Sequence, residues 1–290
     1  VEEEIGRRYG FALFLLAKEK GRIEEMEKLG IDFQVLSVTH HLFMYKEDKD
    51  TAEKAAKIQN DALAKIQREH PDRFVCNATL PLSYPDLALR ELDRVYYDLE
   101  LRGVEIGTNI AGKNLDSEEL FPIYEKLQDY DLPILVHPND ILGAERLKKY
   151  YMPIMIGTLM ETTIAITSVI FGGVLKKFPK LKFIFCHGGG AIPYQVGRLQ
   201  RALDVRDECK GVITGKVIDY LKKVYMDTVL FDDKALKFMI ERIGEDKALL
   251  GTDYPFNMGE WDSLSRIKRL DLTREAIEKI TLINAKKLFK

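Results

Sequence analysis

Apolar residues concentrate along this chain in short runs, of which only some are unbroken, separated by longer stretches in which they recur every third or fourth position. The runs are Phe33–Val38, Phe74–Leu80, Val104–Ile106, Ile134–Val136, Phe183–Cys186, Val224–Met226 and Ala248–Leu250. A run that is apolar throughout, rather than at every second position, predicts a strand covered on both faces, as in a parallel sheet. The stretches between them predict helices. Thr51–His70 carries Ala55, Ile58, Ala62, Leu63 and Ile66 at helical spacing and is stopped by Pro71. Arg22–Leu29 closes on Gly30, a residue suited to a helix C-terminus. Further helices are predicted at Tyr84–Leu99, Leu120–Gln128, Ala191–Arg206, Asp233–Ile243 with Asp232 or Asp233 as cap, and near Trp261–Leu270 and Thr273–Leu288. Asp140–Lys177 reads as a longer irregular and helical excursion.

Strand and helix alternate over residues 1–290 with no linker, low-complexity tract or change of composition, which predicts a single α/β domain. Seven buried strands are one short of a closed (β/α)8 barrel. The eighth is expected within Phe11–Ala17 or upstream of Val1, where the sequence opens without an initiator methionine. An open doubly wound sheet would normally carry a glycine-rich phosphate loop after its first strand, and no GxGxxG or P-loop is present.

Composition narrows the class further. Of the 290 residues, 46% are hydrophobic and 31% charged, enough for a large core and a solvated surface. Lys plus Arg number 44 against 46 acidic residues, a net charge of -2 that argues against nucleic-acid and anionic-membrane partners. No apolar run approaches the ~18 residues of a bilayer span. Cys76, Cys186 and Cys209 are odd in number, far apart and without CxxC spacing, which disfavours disulfides and thiolate zinc sites and points to a reducing cytoplasm.

Candidate chemistry lies at the ends of the runs, the place where such barrels keep their active sites. Those ends read His40 and His41, His137, His187, Asp227 and Asp253, taking in four of the five histidines. His187 stands where FIFC breaks into three glycines, so the chain there is free to lie close to a ligand. His137 in ILVHPND and Asp253 in LLGTDYPF are the best metal-ligand candidates, their turns stiffened by Pro138 and Pro255. Imidazole and carboxylate suit zinc or a related divalent ion that leaves one position to water. His187 reads either as a further ligand or as the general base for that water. His40 and His41 are adjacent, so at most one faces the site. Asp227 either caps the loop after its strand or holds a ligand's ring nitrogen, the capping role being the stronger reading. Arg198, on the helix after His187, is placed to clamp a substrate carboxylate or to make an ion pair. The HGGG sequence also serves lipase-like hydrolases, but the GxSxG elbow they need is absent.

FPKLKFIFCHGGGAIPYQVGR, with ETTIAITSVIFGGVLKKF before it, HPND upstream and GTDYPF near the end, resembles the amidohydrolase-related decarboxylases. ELFPIYEKL, TLPL, GVEIGT and IEEMEKLGIDFQVLS agree, so the resemblance runs from about Arg22 to the end. It implies a (β/α)8 TIM barrel of the metal-dependent amidohydrolase type with one zinc ion and no organic cofactor. By matching position it implies His137 and Asp253 as metal ligands, His187 as catalytic base, and Arg198 as the arginine reaching across a homodimer to the neighbour's substrate carboxylate. The reaction implied is non-oxidative loss of CO2 from a small unsaturated or aromatic carboxylic acid. A hydratase or hydrolase of the same superfamily, or a catalytically inactive barrel, are the alternatives. Two departures stand out: the family's HxH pair at the end of its first strand has no counterpart here, and Asn139 occupies the place of the family's tryptophan in HPWD.

Overall fold

A computed structural model describes residues 27–290. The expected strand at 11–17, the stretch before it, and the start of the helix at 22–29 lie outside those residues.

Seven strands form one parallel sheet in sequence order. They are β1 (Gln34–Leu36), β2 (Phe74–Thr79), β3 (Gly103–Gly107), β6 (Pro133–His137), β7 (Lys182–Phe185), β8 (Tyr225–Asp227) and β9 (Ala248–Leu249); β4 (Asn109–Ile110) and β5 (Lys113–Asn114) make a separate two-stranded hairpin. Each strand was legible as an apolar run, with ends moved by one or two residues. The hairpin was not, because its four residues carry no apolar period.

The connections are helical. Helix α1 (Lys49–Glu69) starts at Asp48, whose carboxylate accepts the backbone N–H groups of Asp50 and Thr51. Its alanine-rich face, with Leu63 and Ile66, is buried. Then follow α2 (Pro85–Tyr97), α3 (Phe121–Asp129), α4 (Thr158–Phe171), α5 (Val174–Lys177), α6 (Ile192–Val205) and α7 (Val217–Leu221). In α8 (Asp233–Ile243) the cap is Asp232, which accepts from Ala235 N. The closing segments are α9 (Ser263–Arg269), α10 (Arg274–Glu278) and α11 (Asn284–Leu288).

Register sorts the side chains into two faces. Val104, Ile134 and Phe183 align across three strands, as do Ile106, Val136 and Phe185 one turn of pleat further on, and all lie buried in the main core beneath the helices. The intervening positions face inward: Leu135, Ile184, Tyr225 and Leu249 pack with Leu288 and Phe289 from the end of α11. On β2 and β3 the inward positions are polar instead, namely Asn77, Thr79 and Glu105.

The sheet curls. Among the described residues β1 and β9 are its edges, yet Leu29, Ile31 and Gln34 line one crevice together with Thr252, Tyr254, Glu260 and Trp261. The curl carries the strand ends of β1, β6, β7 and β9 toward a common point.

One sequence expectation needs correction. The turn Pro153–Gly157 runs into α4 as a helical stretch of 19 residues that is long and apolar enough by composition to cross a bilayer. One face of it packs in the core: Ala165, Ile166, Val169 and Ile170 are fully buried, and the charged Glu161 in its middle is held by loop donors.

Candidate active site

Three of the expected residues meet. His137 ends β6, His187 follows β7 across Cys186, and Asp253 lies four residues beyond β9. One donor atom from each lies within 4.8 Å of the others. His137 Nε2 is 4.0 Å from Asp253 Oδ1, and His187 Nε2 is 3.8 Å from Asp253 Oδ2. Both gaps exceed direct hydrogen-bond contact. They approach the ~3.4 Å expected between two donors that each sit ~2.1 Å from one tetrahedral ion.

The donor chemistry fits a divalent cation. His137 Nδ1 lies 3.1 Å from the carbonyl of Pro138, to which it donates, leaving the Nε2 lone pair free to face Asp253. The side chains are 14%, 14% and 19% exposed for His137, His187 and Asp253, so all three are mostly buried yet reach solvent. Both His187 (φ 57°) and Asp253 (φ 50°) adopt the left-handed backbone region, a strain that surrounding contacts must hold in place. At His187 those contacts are three successive glycines, Gly188, Gly189 and Gly190, all with positive φ; a side chain on Gly190 would lie 2.3 Å from the carbonyl of Leu159.

Electrostatics separates the two imidazoles. Burial holds His137 below the ordinary histidine value despite the adjacent carboxylate. Burial acts the same way on His187, but Asp253 and the buried Asp227 outweigh it and raise that ring's affinity for a proton. Asp253 is drawn down to about 2, its burial overcome by the two imidazoles.

The remaining strand-end residues fall into place around this set. His40 stacks on His137 with centroids 5.0 Å apart and an angle of 13° between planes, while His41 is exposed. Burial, then the His137 and His41 rings, lower His40 to about 4, so it is neutral at physiological pH. Asp227 takes the capping role: its Oδ1 accepts from Gly188 N at 2.9 Å and Val229 N at 3.1 Å, tying the glycine loop to β8. Arg198 stays away from the cluster on an exposed face of α6, with no hydrogen-bond or ion-pair partner among the described residues.

Sequence reasoning missed Glu105 and, although it singled out Asn139, the network that residue joins. Glu105 projects inward from β3, fully buried, and burial raises its carboxyl well above the ordinary range; its Oε2 has no partner. Its signal was hidden because VEI was counted as an apolar run. Asn139, in place of a tryptophan, is only 6% exposed and turned into a network with Thr108, Asn109 and Glu161.

A curled parallel sheet with two imidazoles and a carboxylate gathered at the carboxyl ends of its strands defines a barrel of the metal-dependent enzyme class. The amidohydrolase family model matches residues 15–290, and the chain belongs to that family. It is 38% identical over 240 residues to the 2-amino-3-carboxymuconate-6-semialdehyde decarboxylase of Dictyostelium discoideum, covering 82% of this chain and 67% of the relative. It is similar in structure to 5-carboxyvanillate decarboxylase from Novosphingobium aromaticivorans, solved with manganese and 4-hydroxy-3-methoxy-5-nitrobenzoic acid: TM-score 0.85, 28% identity, 93% of this chain and 79% of the other. The dihydroxybenzoic acid decarboxylase of Polaromonas, solved with manganese and 2-nitroresorcinol, gives a TM-score of 0.81 at 26% identity over 93% and 85%.

Proposed function

We propose that this chain is a metal-dependent, non-oxidative decarboxylase acting on a small unsaturated or aromatic carboxylic acid. The observation that carries the reading is the convergence of His137, His187 and Asp253 within 4.8 Å in a chain whose relatives bear decarboxylase names. His137 and Asp253 would hold the ion, for which zinc is proposed. A bound divalent cation would supply Lewis acidity at the barrel mouth. His137 offers Nε2 because its other nitrogen is committed to Pro138. Asp253 offers a carboxylate that stays ionised throughout the physiological range. His187 holds and moves the proton at Nε2, a role that suits a ring whose protonation is favoured by two flanking carboxylates.

The chain pairs with a second copy, and Arg198 clamps the carboxylate of the substrate in the neighbouring subunit. The exposed guanidinium, without a partner among the described residues, and the exposed Tyr194 on the same helix support this. The single barrel domain spans residues 1–290. It works in the cytoplasm, where Cys76, Cys186 and Cys209, all free, stay reduced.

The test is CO2 release from a panel of hydroxybenzoic and unsaturated dicarboxylic acids, with wild-type and His187→Ala proteins loaded with Zn2+. Turnover with CO2 in the wild type alone is expected. A product formed without CO2 would make the chain a hydratase or hydrolase, and equal turnover in the variant would remove His187 from the chemistry.

A further inference from the structure

Glu161 lies 4% exposed in the first turn of α4, and no cation lies against it among the described residues. Its carboxylate is satisfied by three donors from two loops. Oε1 accepts from Leu142 N at 2.8 Å; Oε2 accepts from Asn109 Nδ2 at 3.0 Å and lies 3.2 Å from Thr108 Oγ1. Thr108 and Asn109 follow β3, while Asn139 and Leu142 follow β6. A buried carboxylate is a costly way to join two loops unless the join has a use.

The join ends at a metal-ligand candidate. Thr108 N donates to the carbonyl of His137 at 3.1 Å, and Thr108 Oγ1 accepts from Asn139 N at 3.3 Å. Asn139 is further tied by Asn109 Nδ2 to its carbonyl and by its own Nδ2 to the Asn109 carbonyl, each at 3.1 Å. Pro138 sits between these two anchored residues, and its carbonyl is the group to which His137 Nδ1 donates. The direction of that carbonyl sets the ring plane of His137, and so the aim of Nε2.

We propose that Glu161 and Thr108 are positioning residues for the metal centre: they lock the 137–142 turn so that Pro138 holds the His137 imidazole facing Asp253. This rests on the reading of His137 and Asp253 as the ion's ligands. Neither residue touches the ion or substrate; both act through the peptide that orients a ligand.

The test measures metal affinity rather than turnover. Mn2+ and Zn2+ are titrated calorimetrically into the metal-free wild type and into Thr108→Val, Thr108→Ser, Glu161→Gln and Glu91→Gln, and metal-free melting is recorded for each. Thr108→Val deletes the hydroxyl at constant shape, and Glu161→Gln turns an amide NH2 toward donors that need an acceptor. Both are expected to weaken ion binding by ~10-fold or more, the scale seen when a partner of a metal ligand is removed. Thr108→Ser keeps the hydroxyl and restores affinity to near the wild-type value. Glu91, buried in a comparable network with Asn60 and Arg94 away from the site, controls for loss of packing and leaves affinity unchanged. The proposal is overturned if Thr108→Val and Glu161→Gln bind as the wild type does, or if Glu91→Gln loses as much. Should Glu161→Gln fail to fold, the Val and Ser pair at 108 decides alone. A wild type that binds neither ion sinks the metal-centre reading and this proposal together, whereas a binding wild type with unaltered variants sinks only the latter.

Discussion

His137 and Asp253 were readable in the sequence for a simple reason: His137 is the polar residue that ends an apolar strand, and Asp253 lies in the short turn that follows another. Their meeting was not readable, since they are separated by 116 positions and brought together only by the curl of the sheet. Glu161 was invisible for the opposite reason, being one charge inside an otherwise apolar helix whose partners lie 52 and 19 positions away. Two expectations belong to this scale. His137→Ala should abolish tight Zn2+ binding, whereas His187→Ala should retain the ion and lose ~10²–10⁴-fold in kcat, the range of a lost general base; titration and steady-state rates on the same samples check it. Glu105 supplies the pH dependence. Its folded-state carboxyl keeps its proton well above the ordinary 4.5, so the native state binds the extra proton and this group's penalty on stability grows as pH rises above 4.5. Glu105→Gln should therefore raise the melting temperature at pH 7 and leave it unchanged near pH 4. A melting series in both proteins measures the convergence, and a variant less stable than wild type at pH 7 contradicts it.

At the scale of elements, the parallel strands were legible because burial on both faces strips them of most polar residues, and their helices because residues three or four apart share the face packed on the sheet. The β4–β5 hairpin escaped notice: it is built from asparagine side chains and backbone bonds, with Asn109 Oδ1 accepting Gly112 N, and leaves no apolar trace. The glycine loop after β7 is held by chemistry that a pattern cannot express. Asp227 grips Gly188, and Thr163 Oγ1 accepts from Ala191 N, so the loop is pinned at both ends. Gly190→Ala would force a side chain onto the Leu159 carbonyl at a φ of 62°. A loss of about 1–3 kcal/mol is expected, the scale of one strained backbone residue, and chemical denaturation would measure it. Because the distortion starts three residues from His187, turnover should fall further than stability predicts.

For the molecule as a whole, the count of seven strands and the barrel they imply followed from the sequence, while the proposed pairing of copies rests on Arg198. Mixing supplies its check. Arg198→Ala and His187→Ala are each expected to be inactive alone. Co-refolded in equal amounts they should recover about a quarter of wild-type turnover, because half of randomly paired dimers are hybrids and each hybrid has one intact site out of two. No recovery would confine Arg198 to its own subunit.

The inward faces of β6 to β9 are covered by Leu288 and Phe289, residues that follow every strand in the chain. A ribosome therefore delivers the complete sheet before it delivers the floor beneath it. During that interval Leu135, Ile184 and Leu249 remain wet, a sticky hollow open to chaperones and to other nascent chains. A nonsense codon at position 287 would make that interval permanent, and the product should be recovered mainly in the insoluble fraction, even though every residue of the candidate metal centre has been translated.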